Sequence, residues 1–198
     1  MAAGEQRSEP DRGTVVRLAL RAFWNQGAEA TSYNDIVAAT GLSRKALYAL
    51  WPDKDALVHE AMALYRAEVL GPLVDRLARG GRAGLEAFWD AVAKGVKTPG
   101  WSGCFLLRSV GGALHGDPVV ARHFDEHVGL LRAGVTSALQ GARTDRAIDT
   151  SIDVTEAGWQ VVAIAALIST YGALSGNSRT VTALISAGRA ACGLGHHT

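Results

Sequence analysis

Apolar residues recur at helical spacing along almost the whole chain, and nowhere do they alternate in the manner of a half-buried strand. Val15, Ala19, Ala22, Phe23 and Gln26 mark one face of a first helix, joined by Val16 and Leu20, with Arg17 and Arg21 opposite. Asp11 caps it and Gly27 sits at its expected left-handed end. Ser32 and Asp35 read as a capping box for a short helix carrying Ile36 and Val37. That helix must stop near Gly41, Leu42 can plug a core, and Ser43 can cap the next helix. Trp51 precedes Pro52 and ends this third helix, since a residue before proline is pushed out of the α region.

Asp53 caps a longer helix over about 54–77, with Pro72 expected to kink or break it. Gly80 and Gly81 form a break. Leu85, Phe88, Trp89 and Val92 then define an amphipathic helix that ends in the run KTPG at 97–100. The stretch 101–114 is apolar, and Asp117-Pro118 starts a long helix through Phe124, Val128, Leu131, Val135 and Leu139. The polar stretch 141–151 reads as a loop, and two last helices cover about 154–174 and 179–191, separated by SGNS. The expected fold is all-α with about nine helices: a flexible tail at 1–10, a three-helix unit at 11–58 and a helical domain at 59–198.

The third helix carries the informative chemistry. At 100° per residue, Arg44, Lys45, Tyr48 and Ala49 fall on one side and Ala46, Leu47 and Leu50 on the other. A short helix after a Gly-containing turn, presenting cations in its first turn, suits the major groove of DNA. Arg44 can fork onto guanine, Lys45 is a looser donor, and Tyr48 can touch a thymine methyl or a phosphate. Thr31, Ser32, Ser43 and Lys54 are candidates for phosphate contacts at the edges. The same residues also fit a plain solvated face with two helix caps.

Composition narrows the picture without announcing a partner. The 198 residues are 48% apolar and 20% charged, an ordinary globular mix, with net charge +1. Residues 1–60 hold seven Lys or Arg against eight Asp or Glu, a balance of −1, so any basic patch is local and binding depends on salt and on two copies. Cys104 and Cys192 form no CxxC pattern, which fits a reducing compartment; a cytoplasmic location without signal peptide or membrane span is expected.

Here a resemblance enters. The run GLSRKALYALWPDKDALV resembles the TetR family of one-component transcriptional regulators in Gly41, Leu42-Ser43, Leu47-Tyr48, the aromatic-Pro-x-Lys of Trp51 to Lys54, and Ala56-Leu57. Phe23, Gly27, Thr31-Ser32 and Ile36 also fit, so the resemblance covers about residues 11–58. It implies a homodimer with an N-terminal DNA-binding domain and a helical C-terminal domain that binds a small molecule. Ser43, Arg44, Lys45 and Tyr48 would face a palindromic operator and Lys54 a phosphate, in a repressor released by the ligand. One departure is Leu50, where the family often carries His.

Candidates for lining a ligand pocket are Phe88, Trp89, Trp101, Phe105, Arg108, His115, Trp159 and Tyr171, with Arg108 suited to an anionic ligand or paired with Asp90. Aromatic residues at this spacing more often form core. Cys104, near a helix start, could sense oxidants. Val161, Ile164, Ala165, Ile168, Leu184 and Ile185 are candidates for a dimer interface or an intramolecular core. Two other functions remain: a helical ligand-binding or dimerisation module without DNA binding, and a metal enzyme using His123, Glu126 and His127 in an HxxEH pattern. No P-loop, GxSxG or GxGxxG motif is present, so neither an enzyme nor a metal or other cofactor is expected.

Overall fold

The structure, a computed structural model, describes residues 11–112, 114–175 and 178–195. The expected tail at 1–10, the middle of the SGNS linker and the last three residues lie outside this range. Among the described residues the regular structure is helical throughout: α1 (Arg12–Gln26), α2 (Tyr33–Thr40), α3 (Arg44–Leu50), α4 (Lys54–Tyr65), α5 (Gly71–Val74), α6 (Gly81–Gly95), α7 (Phe105–Val110), α8 (Pro118–Thr144), α9 (Val154–Ser175) and α10 (Ser178–Ala191). The run from α4 to α5 is joined by a π-helical turn, Arg66–Leu70, and continues as a 3₁₀ turn, Asp75–Arg79. Counted as one, this run leaves nine helical segments among the described residues, as the hydrophobic pattern requires.

The chain divides into two compact units at Leu64 and Tyr65. In the first, Val15, Ala19 and Phe23 of α1, Ile36 of α2, Leu47 of α3, and Val58, Ala61 and Met62 of α4 are buried. The caps are where the sequence puts them. Asp11 accepts from the Thr14 amide at 3.1 Å and Asp53 from the Ala56 amide at 2.8 Å. Each such cap satisfies an amide that the first turn of the helix leaves open. Gly27 does close α1 onto the Phe23 carbonyl, but at φ 94°, ψ 144° rather than in the left-handed helical region.

In the second unit one apolar cluster joins Leu85, Phe88 and Trp89 of α6, Leu131, Val135, Ala138 and Leu139 of α8, Val161 and Ile168 of α9, and Val181 of α10. Two expectations change here. Pro72 breaks nothing: the wide turn at Arg66–Leu70 precedes it, and the chain stays helical to Arg79. The supposed loop at 141–151 begins four residues later, because α8 runs to Thr144 with Ala142 fully buried beneath its polar neighbours. Of the residues offered as a dimer interface or an intramolecular core, Val161 and Ile168 belong to the cluster, and Ile164, Ala165, Leu184 and Ile185 pack half-buried against it. A helix apolar on all sides does not reveal from sequence which side meets its own core. The large apolar side chains left exposed on α9 are Trp159, Leu167 and Tyr171.

Candidate nucleic-acid interface

The geometry of α2 and α3 follows from local chemistry. Ser32 Oγ accepts from the Asp35 amide at 3.3 Å while Asp35 Oδ2 accepts from the Ser32 amide at 2.8 Å, a reciprocal cap. Gly41, at φ 73° and ψ 1°, turns the chain in a conformation that a Cβ disfavours, and its amide closes onto the Val37 carbonyl. Thr40 Oγ1 donates to the Ile36 carbonyl at 2.7 Å and accepts from the Leu42 amide at 3.3 Å. Ser43 Oγ then caps α3 by accepting from the Ala46 amide at 3.1 Å.

On α3, Leu47 is buried at 2% and Tyr48 is exposed at 49%, with Ser43, Arg44, Lys45 and Ala49 exposed on the same side. Leu50, expected to brace the helix, is exposed instead, because α3 ends there. The brace is Trp51. Its extended backbone swings the indole inward to 3% exposure, and Nε1 donates to Glu60 Oε2 at 2.6 Å. Arg12 lies 4.6 Å above the Trp51 ring, forks onto Glu60 at 2.9 and 2.7 Å, and donates through Nη1 to the Leu50 carbonyl at 3.2 Å. The Arg12 guanidinium holds the Glu60 carboxyl below its ordinary value. So the C-terminal end of α3 is clamped by two residues 48 positions apart, which no local spacing in the sequence reveals.

Two candidate phosphate donors are otherwise engaged. Thr31 is fully buried, and its hydroxyl donates to the Gly27 carbonyl at 2.7 Å. Lys54 Nζ lies 3.0, 3.2 and 3.2 Å from the carbonyls of Ala28, Glu29 and Thr31, which matches its three protons. Both hold the loop between α1 and α2. Ser32 stays exposed, though its hydroxyl also donates to Asp35 Oδ2 at 2.6 Å. Sequence reasoning missed Tyr33 and Asn34. The Tyr33 ring lies 5.0 Å from that of Tyr48 and 5.6 Å below the Arg44 guanidinium, and Arg44 Nη2 donates to Asn34 Oδ1 at 3.3 Å.

The pocket candidates do not converge. Phe88 and Trp89 are fully buried edge to face in the core, and Phe105 is buried against Tyr65. Trp101 packs half-buried against the cluster and Arg108 donates to the Ser102 carbonyl at 3.5 Å. His115, Trp159 and Tyr171 are exposed, with Arg132 stacked 4.9 Å over Trp159. Asp90 is paired by Arg189 at 3.1 Å, not by Arg108. The HxxEH pattern is occupied by a cation of the protein itself: Arg66 Nη1 lies 2.7 Å from His123 Nδ1 and 2.5 Å from Glu126 Oε2. Among the described residues no group of three His, Cys, Asp or Glu could hold a metal. The Cys104 thiol, hydrogen-bonded to Tyr65, is raised by burial, which opposes the thiolate that a sensor needs.

A short helix with an exposed cationic and phenolic face, set by a Gly turn against two other helices, is a helix-turn-helix DNA-binding domain. Residues 15–61 match the family model for bacterial regulatory proteins of the tetR family. A Bacillus subtilis (strain 168) protein described as the uncharacterized HTH-type transcriptional regulator YezE is 28% identical over 153 residues, 71% of this chain and 78% of that one. The HTH-type transcriptional repressor ComR of Escherichia coli (strain K12) is 39% identical over 113 residues, about half of each chain (50% and 49%). The crystal structure of a TetR-family regulator from Cytophaga hutchinsonii shares the fold at TM-score 0.78 and 14% identity, covering 94% of this chain and 96% of that one. The TetR-family regulator CifR, complexed with 26-bp operator DNA, does so at TM-score 0.70 and 20% identity, covering 94% and 98%. Residues 15–61 thus match the DNA-binding part of the tetR family of bacterial regulatory proteins, and the described chain shares the fold of TetR-family structures. No described helix is long and apolar enough to cross a membrane.

Proposed function

We propose that the chain is a ligand-responsive repressor that binds a palindromic operator as a homodimer and is released by a small molecule. The observation that carries the DNA-reading part is the solvent-facing set Ser43, Arg44, Lys45 and Tyr48 on a helix whose other side is locked by Leu47 and Trp51. Ser32 stands at the start of α2 to meet a phosphate. ComR is named a repressor and CifR was crystallised on operator DNA, which supports the same reading for this relative.

Two copies are required because the first sixty residues carry no net positive charge, so one domain alone binds weakly. The exposed α9 residues Trp159, Leu167 and Tyr171 fall near multiples of four and form one stripe, which a second copy would cover. Two recognition helices then enter successive major grooves, about 34 Å apart. A small molecule seated among the second unit's helices shifts that spacing by no more than its differential affinity for the two states.

The test is selection of bound fragments from sheared genomic DNA, followed by footprinting. The expected result is a palindromic footprint, lost in the Arg44→Ala/Tyr48→Ala double variant. Absence of binding to every fragment at low salt sinks the reading. A chain that keeps its fold and dimer but binds no DNA is the dimerisation module instead.

A further inference from the structure

Resting on the DNA-reading role proposed above, we infer that α2 is part of the reading apparatus: Asn34 and Tyr33 hold Arg44 in its reading position, and Asn34 thereby sets the base preference of α3. An exposed arginine at the start of a seven-residue helix has many rotamers, and binding one base must freeze them. Here they are restricted before any partner arrives. Asn34 Oδ1 takes one proton of Arg44 Nη2 at 3.3 Å. The Tyr33 ring lies under the guanidinium at 5.6 Å, and the same ring meets Tyr48 at 5.0 Å. One aromatic side chain of α2 therefore meets two of the three long side chains of the α3 face, Arg44 and Tyr48.

The donor count leaves the reading function intact. A guanidinium has five N–H donors, and Asn34 occupies one. The second Nη2 proton and the Nη1 protons remain, and two parallel donors are what guanine O6 and N7 accept. An amide at position 34 suits this role because its oxygen orients the arginine without adding negative charge near the phosphates. Burial, with the hydrogen bond to Tyr48 adding to it, pushes the Tyr33 hydroxyl up to about 12, so Tyr33 stays a neutral phenol at physiological pH. Asn34 is exposed and supports nothing in the core, so its replacement leaves the fold in place.

The experiment selects sites from a randomised duplex library with the wild type, Asn34→Ala, Arg44→Ala, the double variant and Asn34→Asp, and measures affinities for the wild-type consensus by fluorescence anisotropy. The base pair whose preference disappears in Arg44→Ala is the one Arg44 reads. Asn34→Ala is expected to lose preference at that same pair and roughly three- to tenfold in affinity. In the Arg44→Ala background the Asn34 substitution should add nothing. Asn34→Asp should keep the base preference, since a carboxylate also accepts from Arg44, while its charge lowers affinity for all sequences. Two results overturn the inference: an unchanged preference in Asn34→Ala, or an equal loss with and without Arg44, which makes Asn34 an independent contact. Failure of the wild type to enrich any sequence overturns the DNA-reading role itself, and is distinguished from the other two by that fact.

Discussion

Replacing Gly188 by Ala tests how α10 is seated on the core. A Cβ at this position would lie 2.1 Å from Trp89 Cη2, 2.2 Å from Cζ2 and 2.9 Å from Cζ3. Carbon atoms in contact prefer roughly 3.5–4.0 Å, so the ring or the helix must give by about 1.5 Å. Neither has room to do so. Trp89 is fully buried and stands edge to face with Phe88 at 5.2 Å, inside a cluster drawn from four helices. Overpacking of this kind costs about 1–3 kcal/mol. The better helix propensity of Ala offsets up to about 1 kcal/mol of that. The clash wins, and the variant should melt several degrees lower, at roughly 2–4 °C per kcal/mol for a chain of this size. Gly129 in α8 is the control: a Cβ there meets nothing within 4 Å, and Gly129→Ala should raise stability by about 0.5–1 kcal/mol. The assay is thermal unfolding of the three proteins at one concentration. A Gly188→Ala variant as stable as Gly129→Ala would refute the close seating of Trp89 against α10.

Further expectations concern both units. Glu60→Gln removes the charge that Arg12 forks onto and should cost about 1 kcal/mol in denaturant unfolding. Because Arg12 lowers the folded Glu60 value below 4.5, that contribution is present above this pH and lost as pH falls below it; a wild type and a Glu60→Gln variant with identical acid profiles contradict the clamp. Burial, with the Arg66 charge adding to it, lowers His127 from 6.5 to about 4, so the fold favours its neutral form. Stability should then fall between these two pH values on acidification, by up to about 3 kcal/mol, and His127→Gln should flatten the slope. Lys45→Ala should weaken DNA binding across sequences and reduce the salt slope by about one. Lys54→Ala should leave that slope alone and lower the melting temperature, because its three partners are carbonyls of the protein; a changed slope there would return Lys54 to the phosphates.

Much of the recognition unit was legible one residue at a time. Caps act over three residues, a Gly turn over four and a proline stop over two, so Ser32, Gly41, Ser43 and Pro52 mark α2 and α3 wherever those helices dock. The exposed side of α3 follows from helical spacing alone, as do the amphipathic α6 and α8. Legibility failed where a choice between two satisfactory environments was made at long range. Thr31 and Lys54 had polar chemistry suited to phosphates or to carbonyls, and the loop after α1 took both. Arg66 filled a histidine–glutamate pattern that looked like a metal site, from 57 and 60 positions away.

By itself, then, the sequence determined an all-helical chain, its boundaries to within a turn, and the side of α3 that meets solvent, because these depend on periodicity and on hydrogen bonds closed within a few residues. Tertiary structure decided which face of α9 is core, that Trp51 rather than Leu50 braces the recognition helix, and that Asn34 and Tyr33 hold Arg44. Those outcomes depend on which distant groups meet. Packing and the pairing of polar groups settle that only once the whole chain has folded.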